Sequence, residues 1–283
     1  MKNPLVSIIV TTKNEEKNIS RLLRSVKKQS YSKIETILVD HPGTTDSTRK
    51  IAKSFKCKIF EKGPERSAQR NFGVKKANGE YVLIVDADMS LGKKVVEDCV
   101  ETTSETKRKL LIIPEATKGK SLLAKIRKFE REMYMGDETI EVARFFEKKV
   151  FEEFDGYDES LTGTEDYDLP RRISRKYPIG WSKEYLYHHE DDLSLKRQLR
   201  KKFYYANKSA GYVEKHPDLV RVQGVLIFRK AYLRHWKKFI KNPFMAILFI
   251  CVRFLETFAA ALGFIKAVGV LQFVKTLIRM FKS

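Results

Sequence analysis

Tyr81-Val-Leu-Ile-Val-Asp-Ala-Asp88 decides the fold. Five apolar residues follow the turn signal Asn78-Gly79 and end in two carboxylates, which reads as a strand buried on both faces. Working outward toward the N-terminus, the same kind of run recurs at residues 5–11, at Ile34–Asp40 and, shorter, at Lys58–Glu61. Helices fit between these runs. One covers residues 15–28, capped by Asn14, with Glu15 and Glu16 in its first turn and Lys27 and Lys28 in its last; others cover 45–55 and 66–77. Strands alternating with helices predict right-handed βαβ units, hence an α/β fold with a mostly parallel sheet flanked by helices.

Ligands on such sheets bind beyond the carboxyl ends of the strands. Three polar clusters fall there: Thr11 to Glu15, Asp40 to Asp46, and Asp86 to Asp88. Loop preference and helix capping explain Asn14 and Asp46 at least as well as a site does. They explain Asp86 and Asp88 less well, because two carboxylates after an apolar strand repel each other unless a cation sits between them. Hard oxygen ligands suit Mg²⁺ or Mn²⁺ bound jointly with substrate phosphates. The chain has no Gly-x-x-x-x-Gly-Lys-Ser/Thr loop and no Gly-x-Gly-x-x-Gly after the first strand, which disfavours a dinucleotide oxidoreductase. What remains is a metal-dependent enzyme acting on a diphosphate-bearing nucleotide.

Further segments fall in order: Val6-Ser-Ile-Ile-Val-Thr-Thr-Lys-Asn-Glu15, Ile37-Leu-Val-Asp40, Ser67-Ala-Gln-Arg-Asn-Phe-Gly73, Ala77-Asn-Gly-Glu-Tyr81, Phe154-Asp-Gly-Tyr-Asp158 and Gly163-Thr-Glu-Asp166. With Val85-Asp-Ala-Asp88 they make the chain resemble inverting glycosyltransferases of family 2, of the membrane-associated type. The resemblance implies the GT-A nucleotide-sugar-binding fold and a UDP- or GDP-sugar donor. It implies roles position by position. Thr11, Glu15 and Asp40 line the nucleoside pocket, with Asp40 reaching the base. Arg66 and Asn71 help to hold diphosphate and sugar. Asp86, with Ala87 beside it, faces ribose and sugar and, with Asp88, holds the metal; Asp166 is the general base. Family members carry Asp-Asp-Gly-Ser-x-Asp after the second strand, whereas this chain has Asp40-His-Pro-Gly-Thr-Thr-Asp46, so the loop near the base is reshaped. Spacing alone reads residues 164–168 differently, as Thr164 capping a helix whose first turn is acidic. Glu165 and Asp168 are expected to pair with Arg171 and Arg172.

His188 and His189 follow a strand-like run at residues 181–187. One of the two is expected to complete the metal site; a surface pair in an acidic loop is the equal alternative. A helix over 194–208 carries Arg197, Arg200, Lys201 and Lys202, cations able to steady a departing diphosphate.

The net charge of +20 is uneven. Fourteen Lys/Arg stand against Glu214 and Asp218 in residues 196–241, forming a basic collar before an apolar tail. No uncharged run in that tail reaches the ~18–20 residues of a spanning helix. Drawn as one helix, Arg253, Glu256, Lys275, Arg279 and Lys282 share about 140° of arc, with Gly263 and Gly269 as possible breaks. The reading is an amphipathic, apolar helical tail in the membrane interface, over an anionic surface. Buried core helices and a kinked spanning hairpin are the alternatives. Domains are expected at 1–230, catalytic, and 231–283, membrane-associating. No secretory signal fits at Met1–Val10, and Cys57, Cys99 and Cys251 have no ligand-like spacing, which suits a reducing compartment.

The expected activity is therefore sugar transfer to a lipid-linked or saccharide acceptor at the cytoplasmic face of the cell membrane. A nucleotidyltransferase would want glycines after the first strand, which Thr11-Thr-Lys-Asn lacks. A nucleic-acid binder would use the collar with Tyr204, Tyr205 and Tyr212, but its acidic clusters would repel phosphates, so no nucleic-acid partner is expected.

Overall fold

The computed structural model describes residues 3–215 and 230–282. Strands β1 (Val6–Thr12), β2 (Ile34–Asp40), β3 (Lys58–Glu61) and β4 (Tyr81–Asp86) pair in parallel in the order β3-β2-β1-β4. Ile9, Ile37 and Ile84 pack on one face of this sheet, and Ile8, Leu38 and Leu83 on the other. Burial on both faces is why β1, β2 and β4 read as continuous apolar runs and not as alternating ones.

The chain then adds β5 (Met89–Leu91), β6 (Leu110–Ile112), β7 (Glu115–Lys118), β8 (Ala143–Glu147), β9 (Gly180–Trp181) and β10 (Leu186–His189). β8 inserts antiparallel between β4 and β6, and β9 extends the sheet parallel to β6. β5, β10 and β7 form a second, three-stranded sheet. The single strand expected at residues 181–187 is thus two strands in two sheets. Ser182 makes the break: its hydroxyl donates to Asp98 at 2.6 Å, and it accepts from the Glu184 amide at 3.1 Å.

The first helix runs Glu16–Lys27, and Asn14 does not cap it. Asn14 takes a left-handed φ of 56°, and its Oδ1 accepts from the Thr45 amide at 2.8 Å, tying the loops after β1 and β2 together. Asp46 caps instead. Its two oxygens accept from the amides of Glu16 and Thr48, each at 3.0 Å, serving two helix starts.

The described residues divide into two compact units. The first comprises Met1–Ala116, Glu141–Glu159 and Glu165–His189; the second comprises Thr117–Ile140, Ser160–Thr164 and Glu190–Ser283. The break expected after residue 230 borders residues 216–229, which lie outside the described residues together with part of the basic collar.

In the second unit, the helix Pro243–Val268 ends at Gly269 (φ 81°), after which the helix Val270–Lys282 begins. The first two charges of the expected arc do not face solvent. Arg253 and Glu256 are 2% and 0% exposed, facing Arg127 and Glu130 on the helix Leu122–Arg131. The charges turn inward because partners await them there, so the apolar side is the one left outside. Against burial, which alone would raise it, Arg253 and Arg127 hold the Glu130 carboxyl well below its usual range. Burial pulls the neighbouring Lys202 ammonium down to about 7, with Arg253 and Arg127 opposing the pull of the two glutamates. The side chains of Arg279 and Lys282 lie outside what is described.

Gly263 does not divide the long helix; it lets that helix meet the helix Leu195–Asn207. A Cβ there would stand 2.2 Å from the Phe203 carbonyl oxygen. Helix propensity alone favours Ala over Gly by about 1 kcal/mol. Gly263→Ala should nevertheless destabilise by roughly 1–3 kcal/mol, because the backbones must part. A melting temperature at or above wild type would show that they need not meet.

Candidate active site

β4 delivers Asp86 at its last residue, and the turn to β5 carries Ala87 and Asp88. The helix Arg66–Lys76 sets Arg66 and Arg70 one turn apart on a shared face, and the helix Glu165–Ser174 opens with Glu165 and Asp166. These elements converge on Arg70, whose side chain is fully buried. Its Nη2 donates to Asp86 at 2.8 Å, and its Nη1 donates to Asp166 at 2.5 Å and Glu165 at 3.2 Å. Arg66 stands at the edge, 4.0 Å from Asp86 and 3.8 Å from Glu165. The second oxygen of Asp86 accepts from Arg144 of β8 at 3.3 Å. Burial opposes ionisation of Asp86, but Arg70 and then Arg144 hold its carboxyl well below the usual range. Burial, with Asp166 adding, pushes Glu165 up, against the pull of Arg70.

Asp88 is the more open acid of the pair, its side chain 47% exposed. His188 of β10 places Nδ1 3.8 Å from Asp88 Oδ1 and Nε2 2.7 Å from Glu115 of β7. His189 points the other way along the strand and meets the Ser90 hydroxyl through Nε2 at 2.8 Å. Two donors around one octahedral ion stand roughly 3–4 Å apart. Asp88 and His188 therefore fit one divalent ion, and His189 lies aside. Among the described residues no group of three or more His, Cys, Asp or Glu side chains is placed to hold a metal ion. Phosphate oxygens would have to complete the coordination, as they do at phosphate-binding Mg²⁺ sites.

Glu15 borders this region. Burial raises its carboxyl most, Asn18 lowers it by a hydrogen bond, and the charges of Asp88 and Asp86 add to the rise. Thr11 is buried at the end of β1. Asp40 is fully buried and engaged on both oxygens, accepting from Thr12 at 2.6 Å, Thr44 at 2.9 Å and Arg49 at 2.5 Å. Asn71 is turned toward residues 157–159: its amide nitrogen donates to the Tyr157 carbonyl at 2.8 Å and its oxygen accepts from the Tyr157 amide at 2.9 Å. Asp168 pairs with Arg172 at 2.7 Å as expected, whereas Glu165 pairs with Arg70 and Arg66 instead of Arg171. Thr164 Oγ1 makes no hydrogen bond among the described residues, so it does not cap that helix.

Sequence reasoning missed Arg70, Arg144 and Glu115. For Arg144 a signal was present, since a lone charge inside Ala143-Arg-Phe-Phe146 interrupts a strand-like run and must find a partner if buried.

The family described as Glycosyl transferase family 2 matches residues 7–151. Poly(ribitol-phosphate) beta-N-acetylglucosaminyltransferase TarS of Staphylococcus aureus is 34% identical over 117 residues, 38% of this chain and 20% of that protein. Glycosyltransferase AglE of Haloferax volcanii is 34% identical over 112 residues, 36% of each chain. The chain thus spans a fifth to about a third of the length of these relatives. Among solved structures, S. aureus TarS 1-349 in complex with UDP has a TM-score of 0.55 at 19% identity, covering 94% of this chain and 92% of that one. Mannosyltransferase PcManGT from Pyrobaculum calidifontis, in complex with GDP-Man and Mn²⁺, has a TM-score of 0.62 at 17% identity, covering 98% and 79%.

Proposed function

This chain belongs to glycosyl transferase family 2 and has the GT-A fold, and on that premise we propose that it transfers a sugar, with inversion, from a UDP- or GDP-linked donor to a lipid-linked or saccharide acceptor at the cytoplasmic face of a membrane. One observation carries the catalytic part: a single buried guanidinium grips both Asp86, at the end of β4, and Asp166. Inversion needs a carboxylate to accept the acceptor hydroxyl's proton as that oxygen attacks the anomeric carbon opposite the leaving diphosphate. Asp166 has one oxygen on Arg70 and keeps 18% exposure, so the carboxylate is oriented and still reachable. Asp86, kept ionised by Arg70 and Arg144, is an acceptor for donor hydroxyls. Asp88 and His188 would hold Mg²⁺ or Mn²⁺, whose charge would offset that of the diphosphate. Asp40 supports the base-proximal loop through Arg49 and Thr44, which leaves half-buried His41 and exposed Pro42 and Gly43 to meet the base. A panel of nucleotide sugars with Mg²⁺ or Mn²⁺, read by released nucleoside diphosphate, tests the activity; release from none of them would refute it.

The membrane part rests on the helix Pro243–Val268, which is long and apolar enough to cross a bilayer. Its outer side exposes Phe244, Ile247, Ile250, Phe254, Phe258 and Leu262. At 100° per residue these lie within about 120° of arc, opposite the buried Arg253 and Glu256. Lying flat suits such a helix better than crossing, because the inner side is held by ion pairs within its own unit. Lys237 and Lys241 stand exposed just before it, where anionic headgroups would meet them.

Cys251 is exposed on the same outer side, Cys99 is buried, and burial pushes the Cys57 thiol up to about 11. A hydrophilic maleimide should therefore label Cys251 first. Vesicles of phosphatidylcholine with phosphatidylglycerol should slow that labelling at least tenfold, and high salt should only partly restore it. Labelling unchanged by vesicles would contradict membrane docking.

A further inference from the structure

We infer that Glu115 is a positioning residue that fixes which nitrogen of His188 faces Asp88. The inference deepens the divalent-ion reading above and rests on it. His188 has two ring nitrogens, and a neutral imidazole carries its proton on only one of them. Nε2 lies 2.7 Å from Glu115 Oε2. A carboxylate accepts, so Nε2 is the nitrogen that carries hydrogen, and the lone pair is set on Nδ1. Nδ1 is the nitrogen 3.8 Å from Asp88 Oδ1. The ring is thereby locked in the tautomer a cation at Asp88 requires.

Glu115 is itself held. Its other oxygen accepts from Arg144 Nε at 2.5 Å, and Arg144 Nη2 reaches Asp86 at 3.3 Å. Arg144 is almost wholly buried and His188 nearly so, with side-chain exposures of 6% and 11%. The path Asp88, His188, Glu115, Arg144, Asp86 leaves one acid of the Asp-x-Asp pair and returns to the other. Asp86 therefore shares an arginine with the group that aims His188, and the donor-facing acid and the ion-facing imidazole are set together. Carboxylates behind metal-binding histidines commonly act this way, and their loss weakens metal binding about 10–100-fold.

The test uses the full chain and two readouts. The first is the two-bond ¹H–¹⁵N spectrum of the His188 ring without metal, which distinguishes the tautomers. Wild type should show hydrogen on Nε2, and Glu115→Ala should lose that preference. The second is Mn²⁺ affinity, measured by electron paramagnetic resonance in the presence of UDP and, separately, of GDP. Glu115→Ala should weaken Mn²⁺ binding about 10–100-fold. Glu115→Gln, which keeps the shape and one acceptor oxygen, should fall between and serves as the folded comparison if the alanine variant does not fold. Hydrogen on Nδ1 in wild type overturns the inference, as does Mn²⁺ affinity that neither variant changes. Wild type that binds no Mn²⁺ with either nucleotide overturns the divalent-ion reading and this inference with it. Equal binding by wild type and variants overturns this inference alone.

Discussion

Asp166→Asn should retain donor binding and lose transfer, with kcat down by roughly 10²–10⁴-fold. The amide keeps the size and the hydrogen bond from Arg70 to its oxygen, but it cannot take a proton from an acceptor hydroxyl. Donor affinity should change little, because Asp86, Asp88 and Glu15 stay in place. A double measurement separates the cases: nucleotide-sugar binding by calorimetry and turnover by released nucleoside diphosphate. Transfer within about tenfold of wild type, less than loss of a general base usually costs, would assign the base elsewhere. Loss of donor binding with turnover would make Asp166 a donor ligand.

Arg70→Met should be the most destabilising single substitution in the first unit. Arg70 is 0% exposed and neutralises three acids, of which Glu165 is 1% exposed. Removing one side of a buried ion cluster costs about 3–5 kcal/mol, because the remaining charges are left uncompensated. Arg70→Lys should recover little, since a single ammonium cannot span Asp86 and Asp166 as the guanidinium fork does. Adding Glu165→Gln to Arg70→Met should restore part of the loss by removing one stranded charge. Chemical denaturation of the four proteins measures this. An Arg70→Met loss below about 1 kcal/mol, the range of exposed ion pairs, would show that the cluster does not carry that weight.

The parallel half of the sheet was legible because β1, β2 and β4 are buried on both faces. Ile34–Asp40, Lys58–Glu61 and Tyr81–Asp86 stand where their apolar runs place them. The antiparallel addition was not legible. β6 is three residues long, and β8 carries Arg144 as its second residue, so neither offers a clean period. The inward turn of two tail charges went unread for a different reason. Spacing put Arg253 and Glu256 on one side of a helix correctly, but periodicity does not say whether that side meets water or Arg127 and Glu130. The site was half legible: Asp86, Asp88, Asp166 and His188 lie together, and the cations that organise them went unread. A lone arginine on a helix reads as solvated until a fold brings three carboxylates to it. Asp40 and Asn71 show the converse, residue types that suit a ligand but that the structure engages with its own chain.

Inversion at the anomeric carbon, driven from Asp166 on the face away from the diphosphate, is the central claim. The configuration of the first product tests it most directly. A donor identified by the nucleotide-sugar panel and its acceptor are turned over in the spectrometer, and the anomeric proton of the new linkage is followed by NMR from the earliest time points. A single displacement predicts the configuration opposite to that of the donor, with no lag and no donor-configured product. Product with the donor's own configuration would contradict it.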